Sequence, residues 1–334
     1  MARFAIVKKG TAPADKNALE RLVDDYLSHL KSKQVSSRTL EWHQWTLSRI
    51  LLPFCADHKV TQPSQLSTRL LENLQAQLLD RPNMHTGKPL SPASVRTYMR
   101  SVGHFLRWAQ REGEEVPEAP DQVRAPKQLR DRLTRAEILA LEDAARTERD
   151  KLLIRIPADT GIRLGELVHL NVDDLVEVDR RRFLRIRHRQ QGGGAKGESV
   201  RLVGIPRLYT RLKRYIDRTR PKDSDSERIF LSHARHPKSG RHEPLQERGV
   251  QVLISGLAKD VLGKRVHPHL LRHAFVAWGL SPAGGGMSTV IVARTLGHKS
   301  TAMVDRVYAD MVGSEDSYDA LSRALISEED DHRG

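Results

Sequence analysis

The chain has 334 residues, long enough for two domains, and carries a formal net charge of +14. Hydrophobic residues make up 38% of it, enough for ordinary helical cores, and the charge excess points to a polyanionic partner such as nucleic acid. The single cysteine, Cys55, excludes an internal disulfide and a cysteine metal cluster. Because no signal-peptide core or membrane-length apolar run is present, we expect a soluble, cytoplasmic protein with no membrane partner.

The positive charge is spread over both halves of the chain. Residues 1–112 contain 17 lysines and arginines against nine acidic residues, and residues 133–334 keep a net charge of +7. A single basic tail would concentrate the excess at one end. The distribution therefore predicts that both halves contact the same polyanion, although a basic but otherwise ordinary enzyme remains an alternative on charge alone.

The first hundred residues show helical periodicity. A first helix is predicted over ALERLVDDYLSHL, whose apolar residues fall on one stripe. A second, over SSRTLEWHQWTLSRILLPF, opens with a serine pair suited to N-capping, and a third covers STRLLENLQAQLLD. The fourth starts with Ser91 as N-cap and Pro92 in the first turn, and it runs to about Arg111.

The fourth predicted helix has an apolar side, from Val95 to Leu106, and a basic side. A solvated surface is the simpler interpretation of the basic side. The net charge of the chain nevertheless favours contact with DNA phosphates for some of its arginines. The basic side consists of Arg96, Arg100, Arg107 and Arg111.

A linker is predicted at residues 113–132, which contain three prolines, few large apolar residues and no periodic pattern. The TRAE motif at 134–137 then matches a capping box and starts a second domain. A β-hairpin is predicted over RRFLRIRHRQQGGGAKGESVRLVGIP, where alternating segments flank a glycine-rich turn. From about residue 207 the helical pattern returns, and residues 327–334 form an acidic tail.

The sequence VHPHLLRHAF holds three histidines and one arginine. If it is helical after Pro268, then His269, Arg272 and His273 fall on one face. A zinc site takes three or four ligands and usually no guanidinium, so Arg272 favours an anion over a cation. A planar guanidinium beside a histidine suits two oxygens of a phosphate. For this segment alone, a structural cluster of His and Arg is the alternative.

Two further segments carry candidate residues. In DTGIRLGEL, Arg163 lies at the start of a predicted helix, where backbone N–H groups also favour an anion, and Glu166 is predicted to be a structural partner. In TLGHKSTAMVDRVYADM, a turn is predicted at Gly297 and His298, and Tyr308 follows ten residues after the histidine.

Together these segments resemble the tyrosine recombinase family of phage integrases and Xer-like enzymes. The resemblance rests on TGIRLGEL, the lysine of the predicted hairpin, HLLRH, LGH and the tyrosine of RVYADM, which follow the family's order. It covers roughly residues 15–326. Taken residue by residue, it identifies six catalytic candidates: Arg163, Lys196, His269, Arg272, His298 and Tyr308.

The resemblance implies a multidomain, mainly α fold, with a helical SAM-like core-binding domain and a mixed α/β catalytic domain that contains a small antiparallel β-hairpin or sheet. We expect a short extension at residues 1–14, the core-type DNA-binding domain at 15–112, the linker at 113–132 and the catalytic domain at 133–326. The two domains would form a clamp around duplex DNA. The linker would cross the DNA from one domain to the other. The DNA-binding candidates are therefore Arg96, Arg100, Arg107, Arg124, Lys127 and Arg130.

The implied chemistry explains why these residue types are present. Arg163 and Arg272 would clamp the two non-bridging oxygens of a phosphodiester, whose negative charge grows during in-line attack. His298 would hydrogen-bond the same phosphate. No metal or other cofactor is expected, because the arginines supply the positive charge.

Proton transfer is assigned by the same resemblance. Tyr308 would attack phosphorus, and a phenol with a reference pKa of about 10 is poorly ionised at pH 7, so a base is needed. His269 is the candidate base, and Lys196 would protonate the leaving 5′-oxygen as general acid. The implied product is a 3′-phosphotyrosine and a free 5′-hydroxyl, which rejoin without ATP.

Tyr308 has one competitor among the tyrosines. Tyr318 belongs to SYDALSRALI, where Tyr318, Leu321 and Leu325 form a small apolar stripe typical of a docking helix. In the family, such a C-terminal helix packs on a neighbouring protomer, which implies a homo-tetramer on DNA. Tyr26 and Tyr98 are predicted core residues, and Tyr209 and Tyr215 are predicted to be structural or to contact the DNA backbone.

The predicted function is a site-specific DNA recombinase, integrase- or transposase-like, acting on double-stranded DNA with inverted-repeat core sites. A directionality factor or a second recombinase is a candidate additional partner. Two alternative functions remain. A type IB topoisomerase uses the same tyrosine nucleophile, and a catalytically silent DNA-binding relative would carry the same positive net charge. A zinc hydrolase is disfavoured because no carboxylate-rich motif accompanies the histidines.

Overall fold

The computed structural model describes residues 16–83, 87–124, 133–187, 200–282, 284–298 and 300–309, the last four as backbone alone. The described residues divide into two compact units, one that ends at residue 124 and one that begins at residue 133. No helix among the described residues is long and apolar enough to span a bilayer.

The described part of the N-terminal unit is built from helices, and the four predicted ones begin within one residue of their predicted starts. Its second predicted helix continues through a π-helical turn, Leu47–Leu51, into a third short helix. The helices are α1 (Ala18–Ser32), α2 (Ser37–Thr46), α3 (Leu52–Asp57), α4 (Thr68–Asp80) and α5 (Pro92–Arg111).

Side-chain caps explain where these helices start. The side chains of Ser36, Ser67 and Ser91 accept hydrogen bonds from backbone N–H groups in the first turns of α2, α4 and α5. Asn17 and Glu20 form a reciprocal capping box at α1. Each cap precedes an apolar stripe, so the local signal and the hydrophobic period agree on the same helix.

The C-terminal unit combines helices with two small antiparallel sheets. The strands are β1 (Leu175–Val178), β2 (Arg181–Arg187), β3 (Val200–Gly204), β4 (Leu231–Arg235) and β5 (His242–Pro244). The helices are α6 (Arg135–Ala144), α7 (Glu148–Thr160), α8 (Leu164–Val168), α9 (Tyr209–Arg214), α10 (Glu247–Leu262), α11 (Pro268–Leu280), α12 (Thr289–Leu296) and α13 (Ala302–Ala309).

The predicted hairpin corresponds to β2 and β3, which pair antiparallel with Leu184 opposite Val203 and Ile186 opposite Arg201. Two features of the sheets differ from the prediction. β1 adds a third strand beside β2. The expectation of helix from residue 207 onward is wrong at β4 and β5, whose few residues carry too short an alternation to be distinguished from loop.

A network of ion pairs joins three helices of the C-terminal unit. Arg211 on α9 pairs with Glu142 on α6 and with Glu148 on α7. Arg155 on α7 also contacts Glu142, at 3.2 Å, and pairs with Asp159 at 2.8 Å. Single exposed pairs contribute little, but here Glu142 is nearly buried and shared, so the network fixes the relative positions of the helices.

Gly161 ends α7 in the left-handed conformation, with a φ of 64°. A Cβ at this position would lie 2.5 Å from Cδ2 of Leu296 and 2.5 Å from Cδ1 of Phe275. Both of these side chains are buried. The glycine thus permits α7, α11 and α12 to meet, which a side chain would prevent.

We predict that Gly161→Ala destabilises the chain by roughly 2–4 kcal/mol, the sum of overpacking and of left-handed strain. Gly263→Ala is the matched control, because Gly263 caps α10 at a φ of 63° while its Cβ would meet no described atom within 4 Å. It should cost only about 1 kcal/mol. Urea-induced unfolding of both variants measures the difference, and equal losses would contradict the packing argument.

Candidate active site

Arg163 is the N-cap residue of α8 and is held by Glu166, one turn later. The backbone N–H of Arg163 donates to Oε2 of Glu166 at 2.8 Å, and its Nη1 donates to Oε1 at 3.2 Å. Nη1 also lies 3.4 Å from the carbonyl oxygen of Leu296. The guanidinium remains partly exposed, so it is fixed on one side and accessible on the other.

Arg272 lies on α11 and is 5% exposed. Its Nη1 donates to the carbonyl oxygen of Gly161, and its Nη2 lies 3.3 Å from the carbonyl oxygen of Leu296. Burial, followed by the charges of Arg163 and Arg201, lowers the pKa of Arg272 to about 10. No carboxylate pairs with this guanidinium among the described contacts, so its positive charge is available to an anion.

His298 meets Arg272 at the end of α12. Nη2 of Arg272 donates to Nε2 of the histidine at 3.0 Å, which assigns the ring proton to Nδ1. Burial, then the positive charges of Arg272 and Arg163, lowers the pKa of His298. The ring is therefore neutral at pH 7, and its Nδ1 has no hydrogen-bond partner among the described residues.

The LGH sequence forms the C-terminal turn of α12. Leu296 is buried, and Gly297 caps the helix in the left-handed conformation at a φ of 73°. A Cβ on Gly297 would lie 2.9 Å from Nη1 of Arg201. The glycine therefore serves two purposes, since it ends the helix before His298 and leaves room for a guanidinium.

The three histidines of the HPHLLRH segment differ in exposure. His267 and His269 are exposed, whereas His273 is buried and meets the ring of His269 edge-on, with centroids 4.6 Å apart. The described residues contain no group of three or more His, Cys, Asp or Glu that is placed to share a metal ion. Arg272 lines the same cleft as His267 and His269.

A cleft of about 710 Å³ opens beside Arg163 and Arg272. Its walls come from α8, α10 and α11, and they carry more basic than acidic side chains. Such a lining favours a negatively charged ligand. The charged and histidine side chains around it are Arg163, Glu247, Arg248, Arg265, His267, His269 and Arg272.

The structure brings together several of the predicted catalytic residues. Arg163, Arg272 and His298 converge on the carbonyl oxygen of Leu296 or on one another, and His269 lies on the wall of the same cleft. The backbone of Tyr308 belongs to α13, and its side chain is not described. Lys196 and Tyr318 lie outside the described residues.

The predicted DNA-binding arginines of α5 are exposed on one side of that helix. Arg100 stacks over the ring of Trp42 at 5.4 Å, and Arg107 donates to Nδ1 of His104 at 3.2 Å. Arg96 and Arg124 are exposed too. Lys127 and Arg130 lie outside the described residues.

Sequence reasoning missed Arg201, which is central to this site. Its Nη1 and Nη2 donate to the two carboxylate oxygens of Glu166 at 2.9 and 2.7 Å, and its Nε donates to the carbonyl oxygen of Thr295 at 3.0 Å. A signal was present, because Arg201 occupies an inward position of the alternating strand, between the exposed Val200 and Leu202.

The model of the phage integrase family matches residues 131–313, more than half of the chain. The chain belongs to the phage integrase family. It is a site-specific tyrosine recombinase, an enzyme that cleaves and rejoins DNA, and the predicted family and enzyme class are confirmed.

Individual relatives agree with this assignment. Tyrosine recombinase XerD of Listeria innocua serovar 6a is 26% identical over 295 residues, which cover 83% of this chain and 90% of that protein. The Tn1549 transposon integrase in complex with transposon right end DNA matches with a TM-score of 0.67 and 18% identity, over 92% of this chain and 99% of that one. A lambda integrase tetramer bound to a Holliday junction matches with a TM-score of 0.61 and 18% identity, over 88% and 78%.

The two structural matches confirm the predicted fold class, mainly helical with small antiparallel sheets. Topoisomerase and binding-only alternatives are not favoured, because the matches are to recombinases and integrases. DNA is therefore the substrate of this phage integrase family member.

The pairing of Glu166 leads to a prediction about stability. Burial alone would raise the pKa of Glu166, but the hydrogen bonds and charge of Arg201, and then Arg163, lower it below the ordinary value of 4.5. The stabilising contribution of the carboxylate is thus complete above about pH 4.5 and is lost as pH falls through the lower pKa of the folded state. We expect Glu166→Gln to lose roughly 3 kcal/mol at pH 7.

The difference between wild type and Glu166→Gln should shrink as urea unfolding is repeated towards pH 3.5. Glu177→Gln is the control, since Glu177 meets Arg182 at 3.8 Å with both side chains nearly half exposed. It should lose no more than about 1 kcal/mol at any pH. A loss in Glu166→Gln that does not change with pH would show that the charge of Glu166 is not what stabilises the fold.

Proposed function

We propose that Arg163, Arg272 and His298 form a phosphate clamp that holds the scissile phosphodiester while Tyr308 attacks it, giving a 3′-phosphotyrosine intermediate. The observation that carries this proposal is the buried guanidinium of Arg272, which contacts backbone carbonyls and a neutral histidine rather than a carboxylate. A buried cation without a counter-ion is costly unless an anion binds beside it.

The charge balance supports an anionic ligand. Arg163, Arg201 and Arg272 gather around the end of α12, and Glu166 is the carboxylate that pairs with the first two. The group keeps a net positive charge that a phosphodiester would neutralise. Because the charge of a phosphodiester grows on attack, the stabilisation increases towards the transition state.

The position of α13 supports Tyr308 as nucleophile. Val304 is buried in one apolar cluster with Phe275 of α11 and Leu296 of α12, so one face of α13 packs towards the helices that carry the clamp. Position 308 lies one turn after Val304 and therefore on the same face of α13. Tyr318 belongs to a segment assigned to docking.

Proton transfers complete the proposed reaction. The phenolic oxygen of Tyr308 bonds to phosphorus as its proton passes to His269, and the bond to the 5′-oxygen breaks as Lys196 donates a proton to it. Rejoining reverses each transfer. The phosphotyrosine ester conserves the energy of the cleaved bond, so the proposed cycle uses no ATP, and the arginines supply the positive charge that a metal ion would otherwise provide.

The proposed partners are DNA, further copies of the chain and an accessory protein. The substrate is double-stranded DNA with inverted-repeat core sites, met in the cytoplasm, and both units contact it. A homo-tetramer forms by exchange of the C-terminal segment that contains Tyr318, a state supported by the lambda integrase tetramer of similar fold. A directionality factor or second recombinase would bias the outcome.

The decisive experiment uses a suicide DNA substrate, nicked so that cleavage cannot reverse, in the presence of EDTA. Wild-type protein should form a covalent protein–DNA adduct, and Tyr308→Phe should form none, since it lacks the attacking oxygen. Arg272→Ala should form adduct at least roughly 100-fold more slowly, because one charge-stabilising donor of the clamp is gone.

Tyr318→Phe is the matched control and should form adduct at the wild-type rate. The target sequence is obtained beforehand by selecting bound duplexes from a random pool. Adduct formation by Tyr308→Phe would move the nucleophile to another residue. If the wild-type protein formed no adduct although it bound DNA in a salt-sensitive way, the result would favour a DNA-binding protein without catalysis.

The exposed arginines of α5 give an independent prediction. If Arg100 and Arg107 contact phosphates, each change to Ala should weaken binding similarly for all DNA sequences and reduce the slope of log K against log salt by about 1. Arg21→Ala, on exposed α1 surface, is the comparison. Fluorescence anisotropy at several salt concentrations measures the slopes, and unchanged slopes would remove both arginines from the interface.

A further inference from the structure

Arg201 takes no part in the proposed chemistry, yet its side chain contacts two parts of the site and not only the carboxylate of an ion pair. It extends from β3, on the inward side of the sheet, and its side chain is only 12% exposed. It contacts α8 through Glu166 and the end of α12 through the carbonyl oxygen of Thr295. One side chain therefore joins three separate segments.

The contact with Glu166 is bidentate, and it orients the carboxylate. Both oxygens of Glu166 accept from Arg201, and the same two oxygens accept from the backbone N–H and Nη1 of Arg163. A fork-to-fork pair of this kind fixes the plane of the carboxylate as well as its distance. Arg163 is consequently held by the carboxylate of Glu166, and Arg201 holds that carboxylate in turn.

The contact with α12 fixes the turn that carries His298. The last carbonyls of a helix lack internal partners and attract cations. Here Nε of Arg201 satisfies Thr295, while the guanidinium passes over Gly297 in the space that a Cβ would fill. His298 follows immediately and accepts from Arg272.

We propose that Arg201 is a positioning residue, which holds Glu166 and the end of α12 in place and thereby sets the geometry of the phosphate clamp. The inference rests on the proposed function of that clamp. In this role Arg201 does not touch the substrate. It determines how Arg163 and His298 are oriented towards the substrate.

Electrostatics argues against a role in stability alone. The positive charge of Arg201 acts unfavourably on the buried guanidinium of Arg272 and on His298. Buried ion pairs can often be replaced by apolar side chains at no loss of stability. A cation in this position opposes the burial of Arg272, so its placement is better explained by the geometry that it imposes on Glu166 and Thr295.

The test compares Arg201→Lys and Arg201→Met with the wild type in single-turnover cleavage of the suicide substrate. Lysine keeps the charge but loses the bidentate pair and the bond to Thr295. We expect DNA affinity and thermal stability of Arg201→Lys to stay close to wild type, while cleavage falls by roughly 100-fold, the effect of a small misplacement of the clamp. If Arg201→Met does not fold, the cleavage rate of Arg201→Lys still tests whether Arg201 positions the clamp.

Arg211→Lys is the matched control. Arg211 bridges two carboxylates, Glu142 and Glu148, in the same unit, and its side chain is 30% exposed. It should cleave at the wild-type rate. Wild-type cleavage by Arg201→Lys, or an equal loss in Arg211→Lys, would overturn the proposal and reduce Arg201 to a stabilising ion pair.

Two further readouts separate positioning from stability. Loss of Arg201 removes the hydrogen bonds and charge that lower the pKa of Glu166 most and leaves those of Arg163, so this pKa rises relative to wild type, and the cleavage rate of Arg201→Met should decline at a higher pH on the acid side. An unshifted acid limb would contradict the link through Glu166.

The second readout uses a 5′-bridging phosphorothiolate, whose thiolate leaves without a proton. Arg201→Lys should show the same deficit on it, because the clamp and not leaving-group protonation is impaired. Restoration of the wild-type rate would overturn the proposed route. Failure of the proposed function is distinguishable, since wild-type protein would then form no Tyr308-dependent adduct at all.

Discussion

Positive charges that would repel one another are collected at the C-terminal end of α12. Arg163, Arg201 and Arg272 each donate to a carbonyl oxygen of Thr295 or Leu296. The negative end of a helix macrodipole and its unpaired carbonyls favour cations, which offsets part of their repulsion. The carboxylate of Glu166 offsets a further part. What remains is an excess of positive charge held at fixed positions.

The backbone, rather than any charged residue, makes this convergence possible. α7, α11 and α12 approach closely because Gly161 presents no side chain to Leu296 and Phe275. The carbonyl of the same glycine accepts from Arg272. Gly297 gives the same freedom on the other side of the site, beneath Arg201. The TG and LGH sequences are therefore packing and capping requirements as much as parts of a catalytic motif.

Most of the N-terminal unit could be predicted because its signals are local. Ser91 and Pro92 begin α5 and Arg111 ends it, as the cap and the apolar period indicate. β4 and β5 were missed because their pairing is a contact between segments and leaves little alternation in either one. For the same reason Arg201 was missed, since its partners Glu166 and Thr295 are separated from it by many residues. The motif residues were recognisable, as was Glu166 as a structural partner, whereas Arg201, which holds Glu166 and the end of α12, was not.

The tautomer of His298 shows how such support prepares a site for its ligand. Because Arg272 donates to Nε2, the neutral ring carries its proton on Nδ1, where the described residues offer no acceptor. A buried donor without a partner is costly, and a phosphate oxygen would satisfy it. Arg272 thus acts twice, through its own charge and by orienting the histidine. In the proposed clamp, donors that are fixed before substrate binds would need little reorganisation as the charge on the phosphate grows.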